Sequence, residues 1–314
     1  MPEIVTHYYF AQNVLEQLPE GTREQINPEL WNIGVRGPDP LGIVYYRNLP
    51  RWRTEHRKSN QMHTKGCGKL FRSIAEKAKR NEDAQGELLF SYLAGFLTHY
   101  ALDSICHPYI IYRTGSGKEN AGNHRSIEHA IDRKRLDEHG LNGKERTITG
   151  SILPQSDLPA GIRSALNDAY AEAFGWHDAW DLMNQALKDE RRFVHLAEDP
   201  TGSFYRMLSR LTKNTNLLSL SYAELAYQDA DIENEGREEC KNPYDPSIRS
   251  SLSMRQLEEQ ALELAIEMIQ GTEAFIFSDG SYPESIGNRS FESGLDAEAP
   301  QNQATLTCAV LKRR

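Results

Sequence analysis

Apolar and polar positions alternate along this chain with a helical period almost throughout, and strand-like alternation over several residues is nearly absent. Ile4, Tyr8, Ala11, Leu15 and Leu18 recur at helical spacing over residues 5–18, with Thr6 placed to cap the start. Residues 60–80 read as a basic helix. The strongest pattern lies over residues 84–107, where Leu88, Leu89, Tyr92, Leu93, Phe96, Leu97, Tyr100 and Ala101 form an apolar helix. Pro108 disfavours helical backbone at His107, so that helix is expected to end there. Residues 123–139 form another helix, closed by Gly140. Amphipathic segments follow near 159–173, 178–196, 203–230 and 252–277. The stretch 19–56 is punctuated by Pro19, Gly21, Pro28, Gly34, Gly37, Pro38, Pro40, Gly42 and Pro50, which predicts loops. From Asp279 the chain is rich in Gly, Ser, Asn and Pro, and residues 279–314 are expected to form a mobile tail. The architecture expected is all-α, with a multi-helix bundle over residues 1–278 as a single domain.

Composition narrows the function. The 314 residues carry 36 Lys+Arg against 45 Asp+Glu, a formal net charge of -9. That balance argues against nonspecific nucleic-acid binding, which needs clustered cations. No apolar run reaches the length of about 18 residues that a membrane-spanning helix needs. Cys67, Cys106, Cys240 and Cys308 form no CxxC pair, so neither a cysteine zinc knuckle nor a dense disulfide framework is expected. The N-terminal MPEIVTHYYF shows no basic leader followed by an apolar run, so the cytoplasm is the expected compartment, with leaderless export left open.

Histidine placement changes the picture most. Eight of the 10 histidines fall within the first 139 residues. In His99-Tyr-Ala-Leu-Asp103-Ser-Ile-Cys-His107, successive chemistry-bearing residues are four apart, so a helix stacks them on one stripe. Their tips can converge on one cation at roughly 2.0–2.2 Å. His124-Arg-Ser-Ile-Glu128 repeats the spacing, and Asp132 continues it. Such mixed imidazole and carboxylate donors suit zinc, and also manganese or iron. Each pair alone reads equally well as a salt-bridged helix face or a capped core histidine. The balance shifts at His99 and Asp103, which sit in an apolar helix where a buried carboxylate needs a cation, while Lys and Arg are absent from 88 to 112. Asp39 is fixed between Pro38 and Pro40, His63 opens the helix after that loop, and His7 lies on the first helix. His56 lies in a charged run and reads as solvated. His129 faces away from His124, and His139 sits near a helix C-terminus where a cation meets the dipole well. His177 and His195 have no partner pattern. Core packing is the main use expected of Tyr8, Tyr9, Tyr45, Tyr46 and Tyr100.

In order along the chain, Thr6-His7, Gly37-Pro38-Asp39, Met62-His63, His99-x3-Asp103-x3-His107-Pro108 and His124-x3-Glu128 resemble the zinc-dependent phospholipase C family, over roughly the first 140 residues. Asn242-Pro243-Tyr244 resembles the family's later part. The resemblance implies an all-α bundle, shared with the zinc-dependent single-strand-specific nucleases, and two or three zinc ions. It implies one ion on Asp39, His63 and His99 with Asp103 bridging, and a second on His107, His124 and Glu128. A third would take His7, Asp103 and the chain's N-terminal amine and carbonyl, although the family's terminal residue is typically Trp and this chain begins Met1-Pro2. The activity implied is hydrolysis of a phosphodiester, in a phospholipid or a related head-group ester, with Asp39 orienting or deprotonating the attacking water. Two other readings remain open: a zinc nuclease of the same fold, and a metal-binding regulatory or structural protein with little turnover.

Overall fold

A computed structural model describes residues 4–80, 84–115, 117, 119–140, 148–227, 230–303 and 306–312. The chain opens with α1 (Ile4–Gln17), followed by the short helices α2 (Glu20–Gln25), α3 (Pro28–Val35) and α4 (Leu49–Glu55), then α5 (Arg57–Lys65) and α6 (Gly68–Arg80). Next come α7 (Ala84–Thr114), α8 (Ala121–Glu138), α9 (Ile148–Ser151), α10 (Arg163–Phe174), α11 (Ala179–Ala197), α12 (Ser203–Leu211), α13 (Thr215–Leu218) and α14 (Met254–Phe277). A two-stranded hairpin, β1 (Cys240–Lys241) with β2 (Arg249–Ser250), pairs Cys240 with Ser250 in antiparallel register. The fold is all-α and single-domain, as the periodicity predicts. No helix among the described residues is long and apolar enough to cross a membrane.

Helix α7 is the axis of the molecule. It is apolar nearly all round, so it can be stable only when covered on every side. The packing supplies that cover: α1, α3, α6, α8 and α14 all lie against it. The covering helices begin where local chemistry tells them to. Asn27 Oδ1 accepts from the backbone N–H groups of Glu29 and Leu30, at 3.1 and 3.0 Å, and Pro28 takes the first helical position of α3. Ser253 and Gln256 form a reciprocal capping box on α14.

Several expectations are corrected. The Pro/Gly-punctuated stretch 19–56 is not mainly loop; it breaks into the short helices α2, α3 and α4, because its prolines fall at first turns where no N–H is lost. Helix α7 does not end at His107 but runs through Pro108 to Thr114. An interior proline costs roughly 3 kcal/mol. Burial of Tyr109, Ile110, Ile111 and Tyr112 just beyond it, at about 1.5–3 kcal/mol per large side chain, outweighs that. The Ser104 carbonyl, which Pro108 cannot serve, is approached by Gly294; a Cβ there would lie 2.3 Å from that oxygen. Thr6 lies inside α1 rather than capping it. The cap comes from α8, where Asp132 accepts from Val5 N, Thr6 N and Thr6 Oγ at 3.2, 2.9 and 2.8 Å. The expected helix over 203–230 stops at Leu211, since Thr212 is extended and Asn214 starts a new turn.

The expected mobile tail is overturned for its described residues. Phe291 is fully buried in the main core. Tyr100 Oη donates to the Ile286 carbonyl and accepts from Arg289 N, both at 2.7 Å. Ala309 and Leu311 donate to the carbonyls of Tyr112 and Arg113 at 2.9 and 2.8 Å. A polar composition hid a few large anchors, each burying enough area to hold the strand of chain around it.

The crossing of α3 over α7 is set by two glycines. A Cβ on Gly34 would lie 2.1 Å from the Tyr92 carbonyl oxygen, and one on Gly95 would lie 2.2 Å from the Trp31 carbonyl oxygen. The two backbones therefore touch, which fixes where the turn after α3 meets α7. Gly95→Ala is expected to destabilise the fold by about 1–3 kcal/mol, through forced separation of the helices. Equilibrium denaturation measures this; a variant as stable as the parent would show that the crossing yields easily.

Candidate metal centre

The stripe predicted on α7 exists. His99, Asp103 and His107 lie one above the other at successive turns and are buried. Four other segments bring their chemistry to it: His7 from α1, Asp39 from the turn after α3, His63 from α5, and His124 with Glu128 from α8. All eight residues singled out in the sequence come together. Their donor atoms form three groups, each within 4.8 Å: His7, His99 and Asp103; Asp39, His63 and His99; His107, His124 and Glu128.

Asp103 is the hub. Its Oδ1 lies 3.2 Å from His7 Nε2 and 3.6 Å from His107 Nδ1, and its Oδ2 lies 3.0 Å from His99 Nε2 and 3.8 Å from His63 Nε2. Asp39 Oδ1 stands 3.2 Å from His63 Nε2 and 3.8 Å from His99 Nε2. Glu128 Oε1 lies 2.5 Å from His124 Nε2 and 3.6 Å from His107 Nε2. The rings of His7 and His99 stack at 4.0 Å. Gly37 lets the Asp39 turn close over this stack: its φ is +50°, and a Cβ there would lie 2.6 Å from the His99 ring.

The backbone orients three of the rings. His99 Nδ1 is 3.1 Å from the Val35 carbonyl oxygen, His63 Nδ1 is 2.9 Å from that of Ser59, and His107 Nδ1 is 3.2 Å from that of Phe291. A carbonyl can only accept, so each Nδ1 carries the proton and donates. In the neutral ring Nε2 is then left as a lone pair turned toward a carboxylate. Metal-binding histidines are held in this way. His7 Nε2, His99 Nε2, Asp103 Oδ2 and His107 Nε2 are buried without a hydrogen-bond partner among the described residues, and each faces another member of the cluster. Lone pairs facing carboxylates in a dry interior repel unless a proton or a metal ion lies between them. The donor set therefore fits a cation.

Electrostatics follow the same logic. Burial would raise the Asp103 carboxyl, but His107, His99 and His7 outweigh it and hold it well below the usual carboxylate range. Burial opposes ionisation of Asp39 and Glu128 too, and their histidine neighbours again win, holding both low. His7 is lowered to about 4 by burial and by the charge of His99. His107 is raised to about 9, because Asp103 and Glu128 outweigh its desolvation. Access is one-sided: His124 and His63 side chains are 23% and 13% exposed, while His7 and His99 are at 0%.

The other candidates are used elsewhere. Asp132 is committed to capping α1. His129 stacks on Tyr222, His139 on Tyr9 and His56 on Trp52. His177 and His195 are exposed. Tyr100 is a core residue. The N-terminal amine and carbonyl expected at a third ion lie outside the described residues. A buried ion pair was missed by sequence reasoning. Arg36 Nη2 binds Glu190 Oε1 at 2.8 Å and lies 3.9 Å from Asp39 Oδ2. Arg36 adjoins the Gly37-Pro38-Asp39 motif and was visible, but Glu190 arrives from α11 with no local signal. Glu190→Ala leaves the Arg36 charge buried and unpaired, and should destabilise the protein by about 3–5 kcal/mol. Glu190→Gln, which keeps an acceptor, should lose less. Equal stability of Glu190→Ala and the parent in denaturant titration would contradict this reading.

Against known proteins, a family model described as zinc dependent phospholipase C matches residues 6–180, more than half of the chain. No match was found among curated proteins or among solved structures. The matched span contains every residue of the three donor groups. The chain belongs to the zinc-dependent phospholipase C family.

Proposed function

We propose that the protein is a zinc-dependent hydrolase that cleaves the phosphodiester of a phospholipid, in the manner of a phospholipase C. The observation that carries this reading is the set of Nε2 atoms and carboxylate oxygens converging on Asp103, which no Lys or Arg among the described residues pairs with. Asp39, His63, His99 and Asp103 hold one ion in this reading. His107, His124 and Glu128 hold a second, and His7 and Asp103 contribute to a third. Zinc bound there supplies Lewis acidity toward phosphoryl oxygens and brings the pKa of water down to about 7.

The chain's own groups do the rest. Three carboxylates against two dications leave the centre net positive by one, and against three dications by three, so an anionic phosphodiester is attracted in either case. Asp39 stays ionised at neutral pH and accepts a hydrogen bond from the attacking water, which aligns that water with phosphorus. Arg36, locked by Glu190, keeps the turn bearing Asp39 in place. Phe291 closes one wall between His63 and His99, at ring distances of 5.3 and 5.9 Å, and keeps bulk water off the buried side. Substrate enters at the His124 edge.

Elemental analysis should find two or three zinc ions per chain, chelation should abolish phosphatidylcholine hydrolysis, and added zinc should restore it. His99→Ala removes the imidazole that stands between Asp39 and Asp103 and should lower turnover by at least about a hundredfold while shedding zinc. His124→Ala touches one group and should shed one ion. A His99→Ala protein with full zinc and full turnover sinks the assignment. Cleavage of single-stranded DNA in place of lipid would assign the site to a nuclease, and zinc with neither activity to a binding protein.

A further inference from the structure

Helix α12 is amphipathic and buries none of its residues fully. At about 100° per residue, Phe204 and Leu208 share one side, where they are partly covered. The exposed arc, about 140° wide on an ideal helix, holds Arg206, Arg210, Met207 and Leu211. Met207 is 48% exposed and Leu211 is 76% exposed, and Leu217 on the adjoining α13 is 43% exposed. Lys213 stands in the link between the two helices. No carboxylate pairs with Arg206, Arg210 or Lys213 among the described residues; Arg206 Nη1 donates to the Thr201 carbonyl. A protein of net charge -9 thus gathers three uncompensated cations beside three bare apolar side chains.

This patch is tied to the mouth of the metal centre. Helix α12 packs on α13, and α13 packs on α8. The Thr215 carbonyl carbon sits over Gly122, 2.6 Å from where its Cβ would be, and Arg125 Nη2 donates to Asn216 O at 2.9 Å. Arg125 adjoins His124, the most exposed of the eight donors. The geometry points to α12 and α13 as a docking surface for an anionic lipid membrane, which sets the His124 edge beside the bilayer. A helix with cations flanking an apolar stripe lies in a lipid interface with its apolar side chains among the acyl chains. A second copy of the chain fits poorly. Two-fold pairing about this face would bring the Arg206 and Arg210 charges of both copies together with no carboxylate on the face to offset them. This inference deepens the phospholipid reading, yet vesicle binding is measured apart from turnover: an inert chain that still binds keeps the surface and loses the reaction.

The test is flotation of the full zinc-loaded chain with vesicles of phosphatidylcholine containing about a third phosphatidylserine, against phosphatidylcholine alone. Preference for the anionic vesicles is expected, weakening with salt. Arg206→Gln with Arg210→Gln should weaken binding about twentyfold or more, taking about fivefold per charge. Leu211→Asp should weaken it further, while Lys69→Gln with Arg80→Gln on α6 removes equal charge and should change binding less than about twofold. Circular dichroism checks that each variant is folded. Equal binding to both vesicle types, no binding to either, or folded variants that bind like the parent would overturn the proposal. A concentration-dependent dimer dissociated by Leu211→Asp would overturn it in favour of self-association.

Discussion

The structure turns on the carboxylate of Asp103, buried in an apolar helix and surrounded by four imidazoles. Such a charge is tolerated only where positive charge is brought to it. No Lys or Arg lies in reach on its own helix. The compensation comes instead from side chains able to share a cation, delivered by α1, α5 and α8. The arrangement of helices around α7 is therefore also a solution to one electrostatic problem. Because unfolded chains lack the assembled donors, any ion taken up there adds its binding energy to the stability of the fold.

A second layer matters as much as the donors. The carbonyls of Val35, Ser59 and Phe291 fix the tautomers of His99, His63 and His107, and they come from three segments far apart in the chain. Backbone carbonyls bear no side-chain identity, so substitutions at Val35 or Phe291 reach these hydrogen bonds only by moving the main chain. The glycine contact between α3 and α7 places Val35 over His99 and sets the start of the Asp39 turn. Ring orientation is thus a property of helix packing.

Five of the eight residues were legible because four-residue spacing on a helix is a local signal, Asp39 because two prolines frame it, and His7 and His63 only through the family resemblance. What escaped the sequence was non-local. Asp132 follows Glu128 at the same spacing and could have been a donor, yet it turns to the free N–H groups of α1. Nothing in α8 announces that neighbour. Pro108 has a strong local preference that tertiary burial overrides. Glu190 acts on the site only through Arg36, 154 residues earlier. The family match ends at residue 180, so the contribution of Phe291 had no counterpart in the motifs.

Phe291 joins the last part of the chain to the first. Its N–H donates to the His63 carbonyl at 2.9 Å, while its own carbonyl holds His107. A ribosome that has made every donor still has more than 160 residues to add before this latch exists. During synthesis the imidazole of His107 is therefore incompletely oriented, and the cluster reaches its final shape only after Phe291 has emerged. Maturation is in this sense timed by synthesis of the segment around Phe291, with the closing step assigned to a residue outside the three donor groups.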